Sequence, residues 1–417
     1  MRVTLLTLVN VRAIGVAEFR FQPGFNLVVG ENGVGKTSVL HALRVSLSAV
    51  VKHANTHRSA VWNFASDDIR VGANALTVEC STRLGGAEYR YLIHKPREES
   101  AIRAEKAGSP REQMHETPGR AGFLGESPMR MGGREGEGRP LAVLFSTLRS
   151  RLHARAPSKR AAAGGPAAAF ADALSRRAFR FGELAAWMRS QEALRPTHAS
   201  AGRALAAFET AVSRFLPGYS NLRPHGTEEH DLLIDRDRSS LAVRHMSSGE
   251  RGVLALVLDL TRRLVQANPD MADPIAESEA VVLIDELELH LHPKWQRQIV
   301  RKLEKTFPRC QFIATTHSPQ IIGEVPHDRI QIMTDRVVYS PTHAFGVDSS
   351  RVLEEIMDAS PRNQEVEELL AKTSGEIGGQ RYELARKSLA KLAGRLGEND
   401  PEVTRIRTLL DFVEGDD

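Results

Sequence analysis

Alternating apolar and polar residues dominate the first part of the chain, and this period of two predicts β-strands. Turn residues such as Asn10, Pro23 and the pair Gly85-Gly86 interrupt the alternation. The predicted strands cover residues 3–9, 16–21, 25–29, 71–80 and 88–93. The last two form a hairpin, and we expect it to belong to an antiparallel flap beside a core sheet.

Beyond residue 94 the pattern changes repeatedly, and these changes predict the domains. Residues 95–140 lack periodicity and are rich in Gly, Arg, Glu and Pro, whereas 167–216 carry apolar residues at helical spacing. Strand patterns return at 231–235 and 240–243, and the tail from residue 363 is helical. The predicted segments are the N-terminal half of an α/β core (1–94), a flexible insertion (95–140), a helical insertion that opens with an apolar strand (141–228), the C-terminal half of the core (229–345) and a C-terminal helical region (346–417).

A glycine-rich turn follows the third predicted strand and opens a helix-compatible segment. It reads Gly30-Glu31-Asn32-Gly33-Val34-Gly35-Lys36-Thr37-Ser38. Glycines let successive backbone N–H groups approach phosphate oxygens, and the new helix adds its positive end. We expect Lys36 at the β- and γ-phosphates and Thr37 on Mg²⁺. The residues predicted to bind ATP are Gly30, Asn32, Gly33, Gly35, Lys36, Thr37 and Ser38. A glycine-rich turn with an incidental lysine is the alternative.

Two further apolar runs end in polar residues. Residues 280–284 lead into Asp285 and Glu286, and residues 312–314 lead into Thr315-Thr316-His317. Such runs predict buried parallel strands, whose carboxyl ends meet at the edge of the sheet where ligands bind. Asp285 is then placed to hold Mg²⁺, Glu286 to polarise the attacking water, and His317 to order that water or reach the γ-phosphate. A solvated acidic turn and a structural histidine are the alternatives.

Composition and charge limit the cellular location, the state of the cysteines and the partners that we expect. No apolar run approaches the ~20 residues that span a bilayer, so we expect a cytoplasmic protein with no membrane partner. Cys80 and Cys310 lie in apolar runs and predict reduced core thiols. The net charge of +4 is unevenly spread: nine Lys and Arg residues between Arg139 and Arg180 accompany one acidic residue. From Arg351 onward, ten basic residues accompany fifteen acidic ones, so the two regions are expected to meet different partners.

The order of these motifs carries a family resemblance. The phosphate loop, Ser247-Ser248-Gly249-Glu250, the run ending in Asp285-Glu286, and Thr315-Thr316-His317-Ser318 resemble the ABC-type ATPase heads of the SMC and RecF group. The stretch from Asp285 to Pro293 is similar to stand-alone prokaryotic AAA-type ATPases related to RecF and OLD proteins, with Leu287 in place of a proline. The resemblance implies an α/β P-loop NTPase of ABC/SMC-head type with an antiparallel β flap, a helical insertion and a C-terminal helical region.

The resemblance also implies residue roles. Ser247, Ser248, Gly249 and Glu250 match the signature that caps the γ-phosphate on a second subunit, which implies a homodimer or higher oligomer. From the residues alone, the same four are equally an ordinary helix N-cap. The glutamine expected between the first helix and the flap is missing, and Asp68 is the nearest substitute as a Mg²⁺ ligand.

The tail, including residues 348–356 and 382–402, is similar to the helical ending of ATPases in the Septu and retron antiviral systems. There a separate HNH-type nuclease is the effector, which implies that this chain regulates a partner that docks on residues 382–396. A helical pair packed on its own core is the alternative for this tail.

A RecF-like DNA clamp or loader in DNA repair is the alternative function. In that case basic residues of the helical insertion bind DNA phosphates. They are Arg149, Arg151, Arg155, Lys159, Arg160, Arg176, Arg177 and Arg180. A solvated basic surface explains the same residues without DNA.

Overall fold

The computed structural model describes residues 1–55, 60–97, 119–128, 138–150, 165–176, 178–226, 231–237, 239–335 and 337–415. Contacts between Cα atoms divide the chain into two compact units, Met1–Asp348 and Ser349–Asp417. The large unit contains three β-sheets and the helices that cover them. The small unit is entirely helical in its described part.

Strands of the large unit fall into three sheets. Their bounds are β1 (Arg2–Val11), β2 (Ile14–Arg20), β3 (Phe25–Gly30), β4 (Ala75–Leu84), β5 (Ala87–Pro96), β6 (Arg120–Phe123), β7 (Leu141–Phe145), β8 (Tyr219–His225), β9 (Asp231–Arg236), β10 (Ser239–Ala242), β11 (Ala280–Ile284), β12 (Cys310–Thr315), β13 (Ile330–Met333) and β14 (Val338–Tyr339). The sheet orders are β14-β13-β3-β12-β11-β7, β2-β1-β4-β5-β6 and β10-β9-β8.

The six-stranded sheet forms the core of the large unit. Five of its strands are parallel, and only the short β14 runs antiparallel to its neighbour. Every residue of β7, β11, β12 and β13 is buried, as expected for parallel strands that are covered on both faces. Strand β12 lies between β3 and β11, so the phosphate loop and the Asp-Glu turn flank the end of one strand.

Helices of the large unit have the bounds α1 (Lys36–Ala54), α2 (Pro166–Phe170), α3 (Phe181–Leu194), α4 (Ala199–Phe215), α5 (Ser248–Ala267), α6 (Pro274–Glu277), α7 (Pro293–Thr306) and α8 (Pro319–Ile322). Helix α1 is buried along most of its length, and its buried residues include both apolar and polar side chains. Helix α5 is buried from Gly252 onward. Both begin at motifs that the sequence singles out.

The five-stranded antiparallel sheet confirms the predicted flap. Strands β4 and β5 pair from Ala75↔Pro96 to Leu84↔Ala87, with Gly85 and Gly86 as the two-residue turn. Both glycines have positive φ, 58° and 87°, which this tight hairpin turn requires.

One strand of the flap corrects the prediction for residues 95–140. Strand β6 lies in that range, pairs with β5, and places the Phe123 ring 4.9 Å from the Tyr91 ring. Four residues are too few to produce a visible alternation, which is why the sequence did not predict this strand. Residues 98–118 and 129–137 of the predicted flexible insertion lie outside the described residues.

The predicted helical insertion over 141–228 also needs correction, because two of its elements are strands of different sheets. Strand β7, predicted as an isolated apolar strand, is the edge of the central sheet, and β8 pairs with β9. Strand β8 contains Pro224 and a register shift between Ser220 and Arg223, so it lacks a regular alternation. Between them, α3 and α4 contact each other through Trp187 and Phe208, whose ring centroids are 5.5 Å apart.

The small unit consists of α9 (Ser349–Glu355), α10 (Gln364–Gly378), α11 (Tyr382–Leu396) and α12 (Pro401–Gly415). Its last three helices share an apolar core, which explains why the helical spacing of the tail was readable from the sequence. The core includes Val366, Ile377, Leu389, Leu392, Ile406 and Leu410. No helix in the described part of the chain is long and apolar enough to cross a membrane.

The two cysteines lie in the cores of two different sheets. Cys80 is in β4 and Cys310 is in β12, and both are buried free thiols. Burial raises the pKa of each thiol to about 12, so both stay protonated and unreactive at neutral pH.

The first turn of α5 packs against backbone. A Cβ atom at Gly249 would lie 2.3 Å from the carbonyl oxygen of His290, in the turn that follows β11. No side chain fits at that distance. The start of α5 and the Asp-Glu turn are therefore held together by direct backbone contact.

This contact predicts that replacement by alanine has opposite effects on stability at two helical glycines of the large unit. Gly249→Ala should lower the free energy of unfolding by about 1–3 kcal/mol, because the new methyl group must displace the His290 backbone. Gly202→Ala in α4 meets its nearest atom at 4.0 Å, so it should raise stability by roughly 0.5–1 kcal/mol. Urea unfolding followed by tryptophan fluorescence measures both. A Gly249→Ala protein as stable as Gly202→Ala would contradict the close approach.

Candidate nucleotide-binding site

The loop between β3 and α1 turns through three glycines with positive φ: Gly30 (157°), Gly33 (89°) and Gly35 (112°). A Cβ atom at Gly30 would lie 2.2 Å from the carbonyl oxygen of Met333, so β3 and β13 approach too closely for any other residue. At Gly33 only the φ angle requires glycine, because nothing lies within 4 Å of a Cβ atom built there.

The same loop presents unused donors. In the described chain, no backbone hydrogen bond uses the N–H groups of residues 33–37. The ammonium of Lys36 folds over the loop, where it donates to the carbonyl oxygens of Gly30 (2.9 Å) and Glu31 (2.6 Å). Free N–H groups at a helix N-terminus beside a buried cation form an anion site. The loop therefore fits a polyphosphate.

Burial lowers the pKa of Lys36, and nearby carboxylates oppose that effect. Glu288 is the strongest of these, followed by Asp285, Glu286 and Glu31. Since the ammonium is balanced by negative charge on its protein side, it stays a cation at the mouth of the loop. Asn32 is exposed at the tip of the loop, and Ser38 is a buried residue in the first turn of α1.

The carboxylate of Asp285 lies next to the hydroxyl of Thr37, although 248 residues separate them in the sequence. Thr37 Oγ1 is 3.3 Å from Oδ1 and 3.4 Å from Oδ2 of Asp285. Thr315 at the end of β12 donates its hydroxyl to the same Oδ1 at 2.8 Å and accepts the Glu286 N–H at 2.8 Å. These hard oxygen donors match the preference of Mg²⁺. Among described residues no cluster of three His, Cys, Asp or Glu side chains could hold a metal.

Glu288 orients the turn that carries His317. Its carboxylate accepts the Thr316 hydroxyl at 2.8 Å and the His317 backbone N–H at 2.6 Å. Burial lowers the pKa of His317, and the neighbouring Lys36 lowers it further, while Glu288 and Glu286 oppose both. The imidazole is therefore neutral at pH 7 and can donate or accept a hydrogen bond.

The negative charges of Asp285 and Glu286 raise the pKa of both Lys36 and His317 against the effect of burial. These four predicted residues therefore interact electrostatically. Glu286 itself has φ 48°, in the left-handed region that non-glycine residues rarely occupy. Such strain is concentrated at functional sites. The sequence did not predict the supporting roles of Glu288, Thr315 and Thr316, although both threonines lie in a motif that it singled out.

The signature residues lie at the N-terminus of α5. Ser247 caps the helix by accepting the Glu250 N–H at 3.3 Å, and its hydroxyl donates to the Glu250 carboxylate at 2.8 Å. The other oxygen of Glu250 accepts from the Tyr219 hydroxyl at 3.0 Å. Ser247 and Ser248 are exposed. No contact recorded among the described residues joins these two serines to the phosphate loop of the same chain.

The structure gives Asp68 another role than the expected Mg²⁺ ligand. Its carboxylate accepts from Arg12 Nε at 2.8 Å and from the Ala65 N–H at 2.7 Å, and it lies 3.4 Å from His41 Nε2. Burial raises its pKa, but the hydrogen bonds and Arg12 lower it overall. Both oxygens are used within this cluster, and neither contacts Thr37 or Asp285. Asp68 is a structural ion-pair residue that fixes the loop after α1.

The basic residues expected to bind DNA also need correction. Arg149 is buried and donates to the carbonyl oxygen of Asp285 at 2.6 Å, so it is not a surface residue. Arg139 donates to the Ala267 carbonyl oxygen, and Arg180 pairs with Glu183. Arg176 is exposed, and the remaining members of the predicted set, Arg151, Arg155, Lys159, Arg160 and Arg177, lie outside the described residues. Burial removes Arg149 from the predicted DNA-binding set, and DNA binding by the others stays a prediction.

Comparison with known proteins gives two family matches. A protein-family model described as "AAA domain" matches residues 5–115. Another, described as "AAA domain, putative AbiEii toxin, Type IV TA system", matches residues 135–323. The two matches contain the phosphate loop and the Asp-Glu turn respectively, so they cover both halves of the site.

Curated relatives agree with the sequence resemblance. The Retron Ec83 probable ATPase of Escherichia coli is 36% identical over 222 residues, which are 52% of this chain and 41% of that protein. The Septu protein PtuA of Bacillus thuringiensis is 30% identical over 97 residues, 23% of this chain and 24% of that protein. The chain therefore matches less than half the length of either relative.

Among solved structures, an SMC head bound to the C-terminal winged-helix domain of ScpA covers 82% of this chain and 97% of that chain, with a TM-score of 0.49 at 15% identity. The strand order, with β12 between the phosphate-loop strand and the Asp-Glu strand, and the antiparallel flap agree with the predicted α/β P-loop fold. The chain is thus a homologue of the retron Ec83 probable ATPase and of Septu PtuA.

Proposed function

We propose that the chain is an ATP-binding and ATP-hydrolysing switch of an antiviral defence system. The observation that carries this proposal is the contact between Thr37 and Asp285, which joins the phosphate loop to the carboxylate turn at the end of β11. A loop rich in free N–H groups with Lys36 at its mouth supports a triphosphate as the ligand. The homology to a retron ATPase and to PtuA supports the defence assignment.

The proposed reaction divides the site between binding and chemistry. The loop N–H groups and Lys36 hold the β- and γ-phosphates of ATP. Thr37 and Asp285 hold Mg²⁺, which neutralises phosphate charge when it is bound. Glu286 takes a proton from the water that attacks the γ-phosphorus, and ADP and phosphate are released. His317, neutral and oriented through Glu288, orders that water by hydrogen bonding.

We further propose that the signature residues act on the nucleotide of a second copy. Exposure of Ser247 and Ser248 at the N-terminus of α5 supports this, since that end of a long helix attracts anions. Two subunits in head-to-tail orientation then enclose two nucleotides. Dimerisation would depend on ATP, because the triphosphate forms part of the interface.

The effector is proposed to be a separate HNH-type nuclease that docks on the small unit. Three large apolar side chains are exposed on the described part of α11 and α12: Leu384 (46%), Leu409 (40%) and Phe412 (67%). The ion pair between Arg386 and Asp411, at 3.2 Å, joins these two helices. Exposed large apolar side chains fit contact with a protein partner.

The alternative function, a RecF-like clamp or loader on DNA in repair, has less support. It relied on basic residues between Arg139 and Arg180, and Arg149, Arg139 and Arg180 all bond to groups of the protein itself. DNA contact through the remaining basic residues of that segment stays a proposal. The neighbouring genes distinguish the two functions, because a nuclease gene accompanies a defence ATPase and replication genes accompany RecF.

Lys36→Ala should weaken ATP binding by at least about 30-fold, or ~2 kcal/mol, because it removes the cation from a buried anion site. Isothermal titration with a non-hydrolysable ATP analogue measures the change. Lys302→Ala is a matched control, since burial also lowers the pKa of Lys302 and its ammonium donates to the carbonyl of Phe215. Unchanged affinity of Lys36→Ala would refute the phosphate loop.

Glu286→Gln should reduce ATP turnover by about 10²-fold or more while ATP remains bound, since it removes the general base and keeps the shape of the side chain. The trapped ATP should hold the chain as a dimer in light scattering. Glu279→Gln is the control, because Glu279 lies just before the other end of β11 and pairs with Arg309. A Glu286→Gln protein that stays monomeric with ATP would rule out the proposed interface.

Replacing Leu384, Leu409 and Phe412 by serine should weaken binding of the nuclease encoded beside this gene by at least ~10-fold, because apolar anchors dominate interface energies. Affinity capture after co-expression measures this loss. Leu194→Ser is the control, since Leu194 is 41% exposed in α3 of the large unit. ATP turnover should not change in either variant. Undiminished capture would show that the partner docks elsewhere.

A further inference from the structure

Arg149 lies where the central sheet meets the carboxylate turn. It belongs to the 3₁₀ turn Thr147–Ser150, directly after β7, which is the neighbour of β11. Its residue surface is only 6% exposed. Because β7 and β11 are parallel and in register, with Phe145 opposite Ile284, the side chain reaches the residues that follow β11.

The guanidinium bonds only to backbone carbonyl oxygens. Its Nη1 donates to Asp285 at 2.6 Å and to Ser146 at 3.3 Å, and its Nη2 donates to Glu286 and, at 3.4 Å, to Leu287. Three consecutive carbonyl groups of the Asp-Glu turn thus converge on one side chain. Arginine alone has enough donors in a planar fork for this arrangement.

The turn needs this support for two reasons. Glu286 has φ 48°, a backbone conformation that costs a non-glycine residue about 1–2 kcal/mol and persists only where the surroundings hold it. Without Arg149 the Asp285 carbonyl would also lose a donor at 2.6 Å, whereas the Glu286 carbonyl would keep the Leu289 N–H at 3.0 Å. No other described side chain donates to the carbonyl groups of Asp285 or Glu286.

We propose that Arg149 is a positioning residue for hydrolysis, which fixes the backbone of Asp285 and Glu286 so that the Glu286 carboxylate faces the attacking water. This inference rests on the proposed ATPase function and adds a residue from a 3₁₀ turn outside the recognised motifs. Arg149 does not contact the nucleotide loop, so it acts on the chemical step through the turn and leaves ATP binding alone.

Arg149 keeps its positive charge although its side chain is buried. Burial lowers its pKa to about 10, while the carboxylates of Glu288, Asp285 and Glu286 oppose that effect. The guanidinium is therefore protonated at neutral pH. It also offsets part of the negative charge that these three carboxylates bring to the edge of the sheet.

The test compares turnover with binding in Arg149→Lys. A single ammonium cannot span the carbonyl groups of Asp285 and Glu286 in the fork geometry, so kcat should fall about 10- to 100-fold through misplacement of Glu286. The Kd for a non-hydrolysable ATP analogue should stay within about 3-fold of wild type. Arg149→Gln, which keeps two amide donors and no charge, should be impaired at least as much as Arg149→Lys.

Arg44→Lys is the matched control. Arg44 is also 6% exposed, its pKa is also lowered to about 10, and its guanidinium donates to the carbonyl of Leu174 beside Trp62. It contacts none of the carboxylate-turn residues. Arg44→Lys should lower thermal stability and leave kcat unchanged below its melting temperature.

The possible outcomes separate the alternatives as follows. A selective loss of kcat in Arg149→Lys, with the control active, supports the inference. Wild-type kcat in Arg149→Lys, or an equal loss in Arg44→Lys, overturns it, as does a parallel loss of ATP binding. If Arg149→Lys does not fold, Arg149→Gln decides by the same comparison. Absence of turnover in the wild-type protein would instead overturn the proposed ATPase function itself.

Discussion

The register of three parallel strands is the constraint on which the site depends. Thr315 pairs with Val28 on β3, and Ala314 pairs with Ile284 on β11, so all three strands end at one level. The hydroxyl of Thr315 then bonds to Asp285 on one side, while the phosphate loop begins two residues after Val28 on the other. A shift of β12 by one residue would point Thr315 to the opposite face of the sheet. Thr37 and Asp285 would then lose the group that positions them.

Several carboxylates can lie close together at this edge of the sheet because positively charged side chains lie beside them. Asp285, Glu286 and Glu288 all act on Lys36, and the same three act on Arg149 from behind the turn. One cation lies on the nucleotide side and one lies inside the protein, so the acidic turn is neutralised from two directions. His317 remains neutral between them, because Lys36 and burial together outweigh the carboxylates. His317 is thus an uncharged side chain in the site that can take part in proton transfer.

Much of this arrangement could be predicted from the sequence, because its motifs are local. The glycines of the phosphate loop and the apolar run before Asp285 each specify local structure through a few consecutive residues. The structure contains the strands, loop and helix that these residues predict. Arg149 could not be predicted in the same way. Its role depends on β7 lying beside β11, and these strands are far apart in the sequence, where no local pattern specifies which strand will be the neighbour. For the same reason the ion pair of Asp68 could not be predicted, because its partners Arg12 and His41 come from two other elements.

Backbone contact also joins the hydrolysis turn to the proposed dimer surface. Gly249, in the first turn of α5, meets the carbonyl of His290, and His290 has φ 62° in the same turn segment that begins at Glu286. Only three residues therefore lie between the proposed general base, Glu286, and His290, which contacts the signature helix. Backbone in direct contact transmits displacement because it has no side-chain rotamers to absorb it. A change at the Asp-Glu turn on loss of the γ-phosphate would reach Ser247 through this contact, and a second subunit bound there would bias the turn in return. The contact between Gly249 and His290 is thus a direct path through which the proposed hydrolysis and the proposed dimerisation would influence each other.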